Sequence, residues 1–198
     1  MINFINDNSE KPYILFREKY YAALKKKQSS IEAISISSYS LANSEVDSRF
    51  VNLKYVDDKR FIFFSNYESP KAAAFNSHSQ IVALIYWSSI NAQIKMKAQI
   101  KKTSKEFNQK YFYNRSEKKN ALAISSYQSK QIDSYKEVKA RYNKVLKSDD
   151  LKKCPDYWGG FSFIPYYFEF WEGNESRINK REVFNKIDHI WQHSFLQP

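Results

Sequence analysis

The sequence is poor in glycine. Only Gly159, Gly160 and Gly173 occur among 198 residues. Neither a G-x-G-x-x-G dinucleotide loop nor a Walker A loop can be present, so any phosphate must be held by side chains and helix ends. Cysteine is scarcer still. Cys154 stands alone, which excludes an intrachain disulfide and fits a reducing compartment. The candidate bases for it are His78, His189 and His193; a passive thiol is the expected role rather than a nucleophile. No apolar run approaches the roughly 20 residues of a membrane-spanning helix. The opening MINFINDNSEKP lacks the basic and apolar stretches of a signal peptide. The expectation is a soluble, cytoplasmic chain with no membrane partner. Paired carboxylates are also lacking: Asp57-Asp58 and Asp149-Asp150 read as turns, so hydrolysis by an acid and a base has little support. His189 and His193 fall in HIWQHSF, which reads as a strand, and no acidic or cysteine cluster joins them. No metal site is expected.

What is present is apolar, aromatic and basic. Hydrophobic residues make up 42% and aromatic residues 17% of the chain, enough for a real core. The formal net charge is +11. That excess can attract nucleic acid, an anionic membrane or phosphorylated small molecules. It can equally reflect a composition rich in Lys, Asn, Ile, Ser, Tyr and Phe. The lysines are scattered, with short runs at Lys25–Lys27 and Lys118–Lys119.

Along the chain, residues 1–10 read as a polar, mobile segment. Pro12 opens a helix, KPYILFREKYYAALKKK, whose lysine-rich end complements the helix dipole. Strand patterns follow in IEAISISS, RFVNLKYV (49–56), RFIFFSN (60–66) and QIVALIYW (80–87). AQIKMKAQIKK has a clean period of two, with Ile94, Met96, Ala98 and Ile100 on one face. ESPKAAAFNSH predicts a short helix with Ser69 as N-cap and Pro70 at its first position. Residues 103–147 carry helical spacing instead. Strands return in GFSFIPYYFEFWEG, SRINKREVFNK and HIWQHSF. Many strands with a mid-chain helical insertion predict an α+β, mostly β fold: a barrel with helices packed outside it. The division expected is an N-terminal arm and helix over 1–30 and one domain over 31–198.

Four constellations could carry chemistry. The helix start after Ser69 presents free N–H groups and a partial positive charge, with Lys71 in its first turn. Tyr111 and Arg115, four apart, would share one helix face and could grip a phosphate, and Lys119 continues that face if the helix persists. On a strand, Arg177, Asn179 and Arg181 would share a face, and an anion or a carboxylate such as Glu175 or Glu182 must separate the two guanidiniums. The aromatic blocks Tyr157-Trp158-Gly159-Gly160-Phe161 and Glu169-Phe170-Trp171-Glu172-Gly173 are either core or a wall for a flat ring ligand.

Taken in order, the segments R-F-V-N-L-K (49–54), F-F-S-N-x-x-S-x-K (63–71), W-G-G-F (158–161), E-F-W-E-G (169–173), R-I-N-K-R (177–181) and the terminal L-Q-P resemble the pyridoxamine 5'-phosphate oxidase family. Gln93, Tyr111-x-x-x-Arg115 and Gln128-Ser129 fall between them as the family places them. The resemblance runs from about Arg49 to Pro198. It implies a homodimeric FMN-binding split β-barrel with FMN between the subunits. By position, FMN would be contacted by Arg49, Lys54, Phe64, Ser65, Lys71, Gln93, Gln128, Ser129, Trp171 and Arg181. A phosphorylated B6 substrate would be held by Lys54, Tyr111, Arg115, Arg177 and Asn179, with Lys119 as an added cation. The activity implied is oxidation of pyridoxine or pyridoxamine 5'-phosphate, with oxygen as the acceptor and no nucleic-acid partner. The alternatives are a flavoprotein of the same fold with another substrate, perhaps a reductase, and a binding protein for flavin, B6 phosphate or nucleic acid. The chain departs from the family pattern at Pro70 and Ala92, where the family carries Arg. It departs again at Ala98 for Gly, Ser116 for Pro, Lys119 for Ser and Asn179 for His.

Overall fold

The computed structural model describes residues 1–148 and 150–198; the reading of Asp149 as part of a turn lies outside them. The strands are β1 (Asn3–Ile5), β2 (Ala33–Ser40), β3 (Glu45–Asp57), β4 (Arg60–Asn66), β5 (Gln80–Trp87), β6 (Ala92–Lys102), β7 (Trp158–Glu172), β8 (Lys180–Ile187) and β9 (Ile190–Leu196). The helices are α1 (Lys11–Lys25), α2 (Pro70–Ser77), α3 (Lys105–Tyr113), α4 (Glu117–Ser125) and α5 (Tyr135–Ser148). This is the α+β, strand-dominated chain that the pattern predicted. Among the described residues no helix is long and apolar enough to cross a membrane.

The strand pairings form a circuit. β3 pairs β2 and β4, β2 pairs β5, β5 pairs β6, β6 pairs β7, and β7 returns to β4, all antiparallel. β8 and β9 extend the sheet from β7. The two-residue period of β6 explains its place: Ile94, Met96, Ala98 and Ile100 are all buried, while Lys97 and Gln99 face out. β4 and the first half of β7 are apolar on both faces, because their outer face is covered by helices. Phe61 and Phe163 stack at 5.3 Å, and Phe63 and Phe161 at 5.7 Å, across that pair.

α1 closes one end of the core. Pro12 sits in its first turn, and Tyr13, Phe16, Tyr20 and Ala23 are buried at helical spacing. Phe16 meets Phe61 edge-on at 5.0 Å and Trp87 at 5.7 Å. The first ten residues are not the mobile arm expected. Asn3–Ile5 pair in parallel with Tyr55–Asp57, and Ile2 is buried. Three residues are too few to show a period, so the strand left no pattern in the sequence.

Candidate functional site

The site is built where β4 ends and α2 begins. Ser69 occupies the N-cap position, but its hydroxyl donates to the Asn66 carbonyl at 2.7 Å and caps no helical N–H. The cap expected from sequence is therefore replaced by a tie back to the strand end. Pro70 starts the helix, and Lys71 turns inward with only 8% of its surface exposed. Its Nζ donates to Ser65 Oγ at 3.3 Å and to Gln128 Oε1 at 3.0 Å. Both acceptors are neutral. Burial pushes the Lys71 amine down to about 8, helped by the nearby Arg49 guanidinium. A buried ammonium without a carboxylate on it is costly, and its surroundings favour an incoming anion.

Arg49, on β3, is oriented by the Ile36 carbonyl at 3.2 Å, by Ser38 Oγ at 2.7 Å and by an ion pair with exposed Asp47. Beside Lys71 opens a cavity of about 440 Å³. Its cations are Lys54, Lys71, Arg115 and Lys119, and no carboxylate lines it. Lys54 has Glu32 at 3.6 Å. The aromatic wall is tightly stacked: Phe64 lies parallel to Tyr111 at 3.6 Å and to Trp158 at 5.3 Å. Burial raises the Tyr111 phenol to about 12, so it is a hydrogen-bond donor at neutral pH.

Tyr111, Arg115 and Lys119 all line this cavity, although not on one continuous helix. α3 ends at Tyr113, Arg115 occupies the turn, and α4 restarts at Glu117. The guanidinium of Arg115 lies over Trp158, 4.5 Å from the ring centroid. Cys154, near Arg115, has its thiol pushed up to about 11 by burial, in keeping with a passive role.

The glycines of W-G-G-F have a packing reason. A side chain at Gly159 would collide with Tyr67 and Asn108, and one at Gly160 with Thr103. Asn108 Oδ1 accepts from the Gly160 N–H at 2.8 Å, and its Nδ2 donates to Tyr67 Oη at 2.9 Å. This network seats α3, and so Tyr111, against the start of β7.

The remaining expected site residues lie elsewhere. Gln93, Trp171 and Arg181 are cross-strand neighbours on β6, β7 and β8, and none of them lines the 440 Å³ cavity. Arg181 pairs with Glu169, not with Glu175 or Glu182: its Nε and Nη2 reach Glu169 Oε1 at 2.9 and 2.7 Å. Glu169 is 3% exposed and also pairs with Lys95. Arg177 and Asn179 are not on a strand, since β8 begins at Lys180. Arg177 has φ 62°. Asn179 Oδ1 accepts from the Asn174 N–H at 3.0 Å, which ties the loop off before the strand starts. Ser129, with φ 68°, lines a separate hollow of about 230 Å³ beside Tyr127 and Arg141. Asn108, Asn120 and Glu169 were not foreseen as site residues. A buried Asn or Glu leaves no periodic signal, and only its partners in space reveal it.

Residues 158–198 match the family model described as the pyridoxine 5'-phosphate oxidase C-terminal dimerisation region. A pyridoxine/pyridoxamine 5'-phosphate oxidase from Hydrogenovibrio crunogenus is 31% identical over 191 residues, covering 94% of this chain and 88% of the relative. One from Paraburkholderia phytofirmans is 34% identical over 153 residues, covering 76% and 72%. Among solved structures, PhzG from Burkholderia lata, in complex with tetrahydrophenazine-1-carboxylic acid, superposes with a TM-score of 0.89 at 21% identity, covering 97% of this chain and 95% of PhzG. A pyridoxamine 5'-phosphate oxidase-related FMN-binding protein from Nostoc punctiforme gives a TM-score of 0.77 at 12% identity, with 92% and 97% covered.

Proposed function

This chain belongs to the pyridoxine/pyridoxamine 5'-phosphate oxidase family and is an FMN-dependent oxidoreductase, and from that premise we propose that it oxidises pyridoxine or pyridoxamine 5'-phosphate to pyridoxal 5'-phosphate with oxygen as acceptor. The observation that carries the proposal is the cavity itself: four cations, a stacked aromatic wall and no carboxylate. Such a lining suits a flat ring with a phosphate attached.

The residues fit FMN. Lys71 is a buried cation whose only hydrogen-bond acceptors are neutral, beside Ser65, Gln128 and Arg49. An FMN phosphate would supply the missing anion. We assign Arg49, Lys54, Phe64, Ser65, Lys71 and Gln128 to FMN on one copy of the chain, together with Ser129, which follows Gln128 directly although it lines the neighbouring hollow. Gln93, Trp171 and Arg181 would serve it from a second copy, in a homodimeric split barrel. Two facts support that division. These three residues stand apart from the cavity, and the stretch carrying Trp171 and Arg181 matches a dimerisation region.

Bound FMN would supply the redox chemistry, taking hydride from the substrate and passing electrons to oxygen. The protein's share is binding and orientation. Arg115 and Lys119 would clamp the substrate phosphate, and Tyr111 would donate its phenolic hydrogen bond to the same group. Lys54 would lie between the substrate and the flavin site. Arg177 and Asn179 would reach the substrate from the second copy.

Lys119 stands where the family carries Ser, and no ion pair engages it among the described residues. A charged hydrogen bond contributes about 1.5–3 kcal/mol, or roughly one to two decades in affinity. Lys119→Ala should therefore raise KM for pyridoxine 5'-phosphate by roughly tenfold with little change in kcat. An unchanged KM removes Lys119 from the clamp. The parent assay is turnover of pyridoxine 5'-phosphate by the FMN-loaded protein, with release of hydrogen peroxide.

A second reading rests on Asn179. It replaces a family His, and its side chain is occupied by the loop contact with Asn174. A flavoprotein of the same fold acting on another anionic ring compound would keep the Lys71 site and turn over no B6 phosphate.

A further inference from the structure

Asn is a poor residue for a helix interior, because its amide competes for backbone partners. Asn120 nevertheless sits inside α4 and is fully buried. Its amide is used completely. Nδ2 donates to the Phe112 carbonyl at 2.9 Å and to the Leu151 carbonyl at 2.8 Å. Carbonyls only accept, so the nitrogen must face them, and this fixes which way the amide points. Oδ1 is left facing Arg115, whose Nη1 donates to it at 3.3 Å.

Arg115 is thereby held from two sides. Trp158 supports the flat face of the guanidinium at 4.5 Å, and Asn120 takes one of its N–H groups. No carboxylate of the described residues pairs with it. A carboxylate in place of Asn120 would also fix the guanidinium, but would neutralise it. A neutral amide fixes position and leaves the charge for a ligand.

We propose that Asn120 is a positioning residue: it locks the Arg115 guanidinium against Trp158 with its remaining N–H groups available to the anionic end of the substrate. The proposal rests on the assignment of Arg115 to the substrate phosphate. Asn120 acts through Arg115 and need not touch substrate.

The test uses the FMN-loaded protein and the variants Asn120→Ala, Asn120→Asp, Arg115→Ala and the Asn120→Ala/Arg115→Ala pair. Asn120→Ala should raise KM for pyridoxine 5'-phosphate on the order of tenfold or more, as small misplacements of a clamp do. kcat and the FMN dissociation constant should stay near the parent values, because Lys71 and its partners are untouched. Asn120→Asp should raise KM at least as much, since it spends the charge. In the Arg115→Ala background, Asn120→Ala should add nothing. Independent, multiplying effects in the double variant would overturn the proposal. So would a loss of FMN affinity with KM unmoved. If Asn120→Ala does not fold, Asn120→Ser, whose hydroxyl can still donate to the Phe112 or the Leu151 carbonyl but cannot reach Arg115, decides alone, and an unchanged KM refutes the idea. If the parent protein fails to turn over pyridoxine 5'-phosphate, the functional assignment falls separately. Crystal structures of the parent and Asn120→Ala then decide the positioning claim. A guanidinium displaced from Trp158 supports it, and one that has not moved overturns it.

Discussion

Lys71 carries its charge in an unfavourable place, and that gives its site a pH dependence. Burial depresses the free amine to about 8. A phosphate bound there favours the protonated form and would raise that value. Below about pH 8 the free site is already protonated, so binding gains nothing more from added protons. Above it the free site loses its proton, and binding must take one up. FMN affinity should then fall by up to about tenfold per pH unit, as measured by flavin fluorescence titration. Lys71→Met should bind weakly and lose the slope between pH 8 and the alkaline limit. Retention of the slope would assign it to another group. The sequence had pointed to Lys71 through a strand-end, Pro-led helix pattern, but not to its burial. Likewise the sequence left an anion or a nearby carboxylate such as Glu175 or Glu182 as alternative partners for Arg181, and the carboxylate that holds it is Glu169. Residues 169 and 181 are brought together by strand register, and register is a property of the folded sheet.

At the scale of elements, regular periods were readable and irregular joints were not. β6 came through because its alternation is strict, and β4 and β5 because they are apolar runs of strand length. In R-I-N-K-R, residues 177–179 were misread as strand, whereas Lys180 and Arg181 do open β8. The alternating pattern persists, but the Asn174–Asn179 hydrogen bond and the left-handed Arg177 hold residues 173–179 as a loop. Whether the helix ran on past Arg115 was left open by the sequence; the structure ends α3 at Tyr113 and restarts α4 at Glu117, with Arg115 in the turn between them lying over Trp158. α1 read clearly as a helix, and its packing makes it part of the core. Phe16 is completely buried between Phe61 and Trp87. Phe16→Ala should cost about 3–5 kcal/mol by loss of transfer energy and by cavity formation. Thermal denaturation should show a large drop in Tm, with FMN affinity retained at low temperature. A drop of only a degree or two would mean that α1 closes the core less tightly than its contacts indicate.

For the whole molecule, the ordered set of motifs carried the family resemblance where no single motif could. The composition contributed the negative half, since the shortage of glycine forces phosphate onto side chains. In one copy the two clusters stand apart. The cavity holds Lys71, Tyr111 and Arg115, while Trp171 and Arg181 lie apart on β7 and β8. If two copies share each site, Lys71→Ala and Arg181→Ala should each be inactive alone and complement when co-expressed. Random pairing makes about half of the dimers mixed, each with one intact site of two. Activity should therefore recover to about a quarter of the parent level, and no recovery would place both residues in sites built by a single chain. On the proposed function, the loaded protein oxidises a B6 phosphate through its flavin. The direct measurement is a single turnover without oxygen. Adding pyridoxine 5'-phosphate to the yellow protein should bleach the flavin and yield pyridoxal 5'-phosphate, and admitting air should restore the colour with release of peroxide. A protein that binds FMN and stays yellow in the presence of both pyridoxine and pyridoxamine 5'-phosphate would contradict the account.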